Sequence, residues 1–275
     1  MVEWLLEPLQ YGFFQRGLIA GIIVAFSCGV LSAFIVWRGM AFIGDALAHA
    51  VLPGIVLSIV LGIHVLIGAL AAAVLSVIGI GALTKNKGFK EDTAIGVIFA
   101  GAFALGILLM SQVSSFKDLS HILFGNILGV SSLDVILITV VGVIVIGSVF
   151  LFYKELLVTS FDPTHAKAIG LSPQLIHFAL LILVAATTVL ATQTVGVVLV
   201  LALLVTPAAA ASLLVRELVK IIKLSIVFAV SAIIAGFYLS YYFDLASGAT
   251  IVLILTLFFI IAFIISKIRV SNIKR

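Results

Sequence analysis

An aspartate and a histidine stand four residues apart in the run Gly44-Asp45-Ala46-Leu47-Ala48-His49-Ala50-Val51-Leu52-Pro53-Gly54. On a helix that spacing puts both side chains on one face, one turn apart. A carboxylate oxygen and an imidazole nitrogen so placed can hold one divalent cation. Ala46, Ala48 and Ala50 leave room beside them for the ion or for a second helix. Pro53-Gly54 follows at once and is expected to kink or break the helix. Transporters use such breaks to open side chains and backbone to a central path. Two plainer readings stay open on spacing alone. Asp45 and His49 can bond to each other, or Asp45 can cap a helix beside Arg38, near a membrane surface.

A second polar stretch runs Phe161-Asp162-Pro163-Thr164-His165-Ala166-Lys167-Ala168-Ile169-Gly170-Leu171. Asp162 is placed to cap a short helix with Pro163 at its first position and Gly170 at its end. A short amphipathic helix between two apolar spans suits docking of a soluble partner; an ordinary capped turn has the same signature. Asp118 and His121 fall in a long, mildly polar connection and form a possible external cation path, although local hydrogen bonding explains them as simply. Within that connection, residues 121–129 are expected to form a short re-entrant or interfacial helix. His64, His165 and His177 have no carboxylate at helical ligand spacing and read as structural. Thr188, Thr192 and Gln193 form a polar stripe placed to line a path, although threonines of this kind more often bond back to their own helix carbonyls. Thr206-Pro207 reads as a helix kink. The sequence has no phosphate loop of the Gly-x-x-x-x-Gly-Lys-Ser/Thr type, so ATP hydrolysis by that route is excluded.

The elements that position these residues follow from composition. Of 275 residues, 64% are hydrophobic and 9% charged, with a mean hydropathy of +1.43. Soluble domains have about 25% charged residues; charge this sparse cannot cover a water-soluble globule. A bilayer must be the solvent. Apolar runs long enough to cross it lie near residues 13–37, 44–63, 65–83, 93–111, 133–153, 174–194, 196–214, 219–241 and 248–267. Gly62 and Gly196 blur two of the joints, so eight or nine transmembrane helices are expected. The runs are continuously apolar and lack the alternation of barrel strands, so the fold class is all-α, a polytopic helical membrane protein. No polar linker divides the chain, and residues 1–275 read as one transmembrane domain. The net charge of +4 comes from basic residues between and after the spans, a cytoplasmic-loop bias that needs no nucleic acid. With nine spans it places the N-terminus outside, the C-terminus inside, and residues 84–92 and 154–173 in the cytoplasm. The single cysteine, Cys28, excludes an internal disulfide. Glu3 and Glu7, with no basic n-region, do not read as a cleaved signal peptide.

The run Trp37-Arg38-Gly39-Met40-Ala41-Phe42-Ile43-Gly44-Asp45-Ala46-Leu47-Ala48-His49-Ala50-Val51-Leu52-Pro53-Gly54 resembles the signature of the manganese/zinc ABC transporter permease family. Asp92-Thr93-Ala94-Ile95-Gly96, His121-Ile122-Leu123-Phe124-Gly125-Asn126 and Thr206-Pro207-Ala208-Ala209 resemble it in matching order. Ala41 and Ala48 replace serines usual there, and Ala209-Ala210 replace an Ala-Thr pair. The resemblance implies a type II importer-like permease of the bacterial cell membrane, working as a homodimer. Its partners would be ABC ATPase subunits inside, a metal-binding lipoprotein outside and membrane lipid around. It implies that Asp45 and His49 of both copies ligate the transported Mn²⁺ or Zn²⁺, with no permanently bound cofactor. Phe161, Asp162, Pro163, Ala166, Ala168, Gly170 and Leu171 would couple to the ATPase. The His121–Asn126 motif resembles the manganese members more. Oxygen and nitrogen donors without thiolate suit either metal, and zinc would bind more tightly at equal geometry. The rival readings are a self-sufficient divalent metal channel, a proton-coupled carrier, or a scaffold without transport.

Overall fold

The structure, a computed structural model, describes residues 6–85, 90–112 and 129–273. Lipid offers no partners to backbone N–H and C=O groups, so each crossing must bond internally. The described residues accordingly form helices and no strand. A 3₁₀ turn at Pro8–Gln10 leads into α1 (Gly12–Trp37), α2 (Ile43–Ala50), α3 (Leu52–Leu61), α4 (Val65–Lys85), α5 (Glu91–Ser111), α6 (Ser132–Leu151), α7 (Tyr153–Phe161), α8 (Pro163–Ala168), α9 (Pro173–Val195), α10 (Val197–Leu214), α11 (Leu218–Phe243) and α12 (Ser247–Ile273).

Nine helices among the described residues are long and apolar enough to cross a bilayer, α2 and α3 counting together as Ile43–Leu61. The two glycines that blurred the sequence decide the number. Gly62 and Gly196 adopt φ of 67° and 88°, a region open to glycine at little cost. Each reverses the chain within a few residues, between α3 and α4 and between α9 and α10.

The core has two lobes. In one, α1 packs against α11, α10 and α6, with α12 behind α10 and α11; in the other, α3 packs against α4 and α5, and α2 against α5. Helix α9 joins the lobes by touching α4, α2, α10, α6 and α1. Bilayer helices gain little from hydrophobicity and rely on close contact between small residues. The α3–α4 crossing is the tightest case. A Cβ on Gly54 would overlap the Gly68 carbonyl, and one on Gly68 would overlap Ser58 Oγ and the Gly54 carbonyl. Gly54 is therefore enclosed against α4, whereas the sequence reading had it opening backbone to a path.

Charge separates the two ends of the bundle. Arg38, Lys90, Lys154, Lys167, Arg216, Lys220, Lys223, Lys267 and Arg269 cluster at or beyond the helix ends of one side, here termed the basic end. At the opposite end, among the described residues, Arg16 near the start of α1 is the one exception, and the joints around Gly62, Gly196 and Asp244 carry no lysine or arginine. The basic side is expected to face the cytoplasm. In intact cells, an impermeant thiol reagent should label Ala246→Cys and spare Lys154→Cys. Background is low, because the native Cys28 is fully buried. Labelling of Lys154→Cys from outside would reverse the orientation.

Candidate metal site

Helix α2 has eight residues, with Asp45 in its first turn and His49 in its last. The position of Asp45 suits the helix dipole, which favours negative charge at the start. His49 Nε2 lies 3.5 Å from Asp45 Oδ1, with side-chain exposures of 26% and 34%. A strong hydrogen bond needs about 2.7–3.2 Å, so the two groups face each other without closing. Nor does Asp45 cap the helix: the N-cap is Phe42, with no side-chain cap bond. Both plain readings of the pair therefore lack their bond. Two donors at about 2.1 Å from one ion, spread at a tetrahedral angle, would themselves be about 3.4 Å apart. The observed gap fits an ion between them.

Proline sharpens the site. Residue 53 would donate to the His49 carbonyl in a continuous helix, but proline has no N–H. The span breaks at Val51, whose N–H reaches that carbonyl instead, and Pro53 sits in the first turn of α3. His49 Nδ1 is buried with no hydrogen-bond partner among the described residues. Two rings of α5 wall the imidazole, Phe103 edge-on at 5.2 Å and Phe99 at 5.8 Å, and these two stack on each other. Beside Asp45, a Cβ on Gly44 would come within 2.7 Å of Leu204 Cδ1, so α2 is held close against α10.

Threonines on α9 divide into two kinds. Thr187 and Thr194 bond back to the Leu183 and Leu190 carbonyls, as such residues commonly do. Thr188 and Thr192 do not, and their buried hydroxyls have no hydrogen-bond partner among the described residues.

A polar cluster at the basic end was not visible in the sequence. Arg38 Nη1 lies 2.6 Å from His177 Nδ1, Nε 3.0 Å from Ser160 Oγ and Nη2 3.2 Å from Thr159 Oγ1. His177 Nε2 in turn lies 2.8 Å from Glu91 Oε1. His177 thus has a carboxylate neighbour, from another helix, where helical spacing showed none. Burial lowers the Arg38 pKa from its ordinary value and the Glu91 charge acts against that; arginine stays protonated throughout.

The second expected segment forms as read. Asp162 Oδ1 accepts from the Thr164 and His165 N–H groups at 3.0 and 2.9 Å, and Pro163 opens α8. Leu171 N–H closes onto the Ala166 carbonyl and Gly170 N–H onto that of Lys167, the paired bonds of a Schellman end. Ala166 is fully buried, while Phe161 and Ile169 are more than half exposed. The segment presents a mixed face outside the bundle, with Ala168 and Ile169 exposed beside Thr164, His165 and Lys167. Asp118 and His121, with most of the expected interfacial helix, lie outside the described residues. Among the described residues no three His, Cys, Asp or Glu side chains gather as one metal site, so Asp45 and His49 stand as a pair.

Nine helices suited to crossing a bilayer among the described residues make this a multi-pass membrane protein. The chain belongs to the ABC 3 transport family, whose pattern it matches over residues 10–266; it is a metal ABC transporter permease of the bacterial cell membrane. It is 47% identical over 256 residues to the manganese transport system membrane protein MntC of Listeria innocua, covering 93% of this chain and 91% of that one. It is 42% identical to a probable iron transport system membrane protein of Haemophilus influenzae, covering 98% and 100%. Among solved structures it resembles PsaBC from Streptococcus pneumoniae in complex with Fab. There the TM-score is 0.84 and the identity 40%, over 95% of each chain.

The ring packing around His49 has a measurable consequence. Aromatic pairs contribute about 0.5–1.5 kcal/mol beyond burial, or about two- to tenfold in an equilibrium constant. Phe103→Leu keeps apolar bulk and removes the edge contact. The purified protein should lose about that much stability, and its thermal midpoint should fall by roughly 1–6 °C in a melting experiment.

Proposed function

We propose that this chain is the ion-conducting subunit of an ATP-driven importer of divalent metal, with manganese as its cargo. It would act as a homodimer with separate ABC ATPase subunits at its basic end. A metal-binding lipoprotein would deliver the ion from the other side. The observation that carries the reading is the unbonded Asp45/His49 pair, 3.5 Å apart and partly exposed inside a broken span. Uncompensated charge in a bilayer is expensive and by default functional.

One copy is not enough. A single carboxylate leaves a dication under-neutralised in a low-dielectric path. A second copy adds another carboxylate and imidazole, giving two charges of each sign and four protein donors. The partial exposure of the pair leaves it accessible to such a partner. Hard oxygen and intermediate nitrogen donors suit manganese and iron, and thiolate is absent. Manganese is favoured because MntC of Listeria innocua is a manganese transport protein; the Haemophilus influenzae relative, named for iron, makes ferrous iron the competitor to include.

Uptake of ⁵⁴Mn by vesicles containing the permease, its ATPase and its delivery protein tests the site. Asp45→Asn keeps size and removes charge, and His49→Ala removes the nitrogen. Each should lower uptake at least about tenfold, the effect of losing roughly 1.4 kcal/mol or more of ion stabilisation, with normal membrane abundance. Wild-type uptake by the double variant would return the pair to a structural role. Preference for ferrous iron in the same assay would change the cargo and leave the site standing.

The exposed face of α8 is the proposed ATPase contact. Ala168 is exposed, so Ala168→Asp should leave the fold intact while placing a larger, charged side chain at the contact. Co-purification with the ATPase should be lost and the detergent-solubilised permease should keep its thermal midpoint. Normal association would move the docking site elsewhere.

A further inference from the structure

Arg38 is the first residue after α1, and residues 38–42 lead directly into the ion-bearing α2. Its guanidinium reaches three acceptors on two other elements, Thr159 and Ser160 on α7 and His177 on α9. All three are committed to accepting. The Thr159 hydroxyl donates to the Glu155 carbonyl and the Ser160 hydroxyl to that of Leu156, which leaves only their lone pairs for Arg38. A guanidinium has no acceptor, so His177 Nδ1 must present its lone pair to Arg38 and carry its ring proton on Nε2. That nitrogen faces Glu91, the first residue of α5, at 2.8 Å. The ends of α1, α7, α9 and α5 thus meet around one fixed cation. Next to it, the Trp37 ring packs on Phe161 at 4.4 Å between centroids. Phe161 ends α7, and Asp162 follows as the N-cap of α8.

We infer that Arg38 is a positioning residue that couples the α7–α8 segment to the ion-bearing span. A displacement of α8 by a docked ATPase passes through Thr159 and Ser160 to the guanidinium. From there it passes along the chain to the start of α2, and through His177 to the start of α5. Phe99 and Phe103 of α5 touch His49, so both arms of the connection end at the metal pair. This rests on the importer reading above. Lysine cannot replace arginine here, because one ammonium on a flexible stem cannot hold the three separate acceptors in the guanidinium's planar geometry.

The test compares manganese uptake with ATP hydrolysis in the same vesicles, using the complete complex. Arg38→Lys keeps the charge and loses the fork. Thr159→Val with Ser160→Ala leaves Arg38 in place and removes its α7 partners. Both should assemble with the ATPase and hydrolyse ATP at near wild-type rates. Manganese carried per ATP should fall about tenfold for Arg38→Lys, an ordinary size for coupling between sites, and in the same direction for the double variant. An unchanged ratio in either variant overturns the coupling role. So does a parallel loss of uptake and hydrolysis, which a purely structural arginine would give. If Arg38→Lys does not assemble, the ratio in the double variant decides. Failure of the importer reading appears separately, as absence of manganese uptake in the wild-type complex.

Discussion

A guanidinium withdrawn from water is costly unless its N–H groups meet acceptors, and Arg38 meets that constraint with partners from α7 and α9. Hydrogen bonds to a charged group contribute about 1.5–3 kcal/mol each. These are partly solvent-screened and lie toward the lower figure. Their larger effect is geometric. The segment between α1 and α2 has no regular structure of its own, and the arginine fixes where it leaves α1. With that point held, α2 enters the bundle against α10 and α5, and Asp45 and His49 take their places. Were the arginine removed, His177 and Glu91 would be left half-buried without their cation.

Much of the architecture was legible in the sequence, because a bilayer leaves so few choices. Continuous apolar runs could only be helices, and the positions of the spans follow within a few residues. The count stayed open between eight and nine since hydropathy is blind to a glycine turn; the positive φ at Gly62 and Gly196 is a backbone property. Asp45 and His49 were readable as a pair because their relation is local, one helical turn. So was the capped α8, with Asp162, Pro163 and Gly170 each in a position dictated by helix-end chemistry. The partners of His177 were not readable for the complementary reason. Its neighbours Arg38 and Glu91 come from two other helices, and no spacing rule along one helix finds them. The threonine stripe shows the same limit. Sequence left Thr188 and Thr192 between lining a path and back-bonding; Thr187 and Thr194 are the ones that bond back, while Thr188 and Thr192 do not.

The wall of Phe99 and Phe103 explains why the pair is poised and not closed. An imidazole held edge-on to one ring and tilted against another has few rotamers left. It stays at 3.5 Å from the carboxylate and does not rotate in to satisfy it. The cost of an unmet donor pair is borne by packing that surrounds it.

The two tight reversals set the mechanics of the molecule. Helices α9 and α10 are joined by Gly196 alone, and α3 and α4 by residues 62–64. A link so short fixes the facing helix ends within a few ångströms, since each residue spans at most about 3.6 Å. Neither pair can slide lengthwise past its joint, so relative motion of its two helices is a change of angle about that joint. For α3 and α4 even this is limited by the Gly54–Gly68 contact, and the pair answers a push from the basic end as one stiff unit.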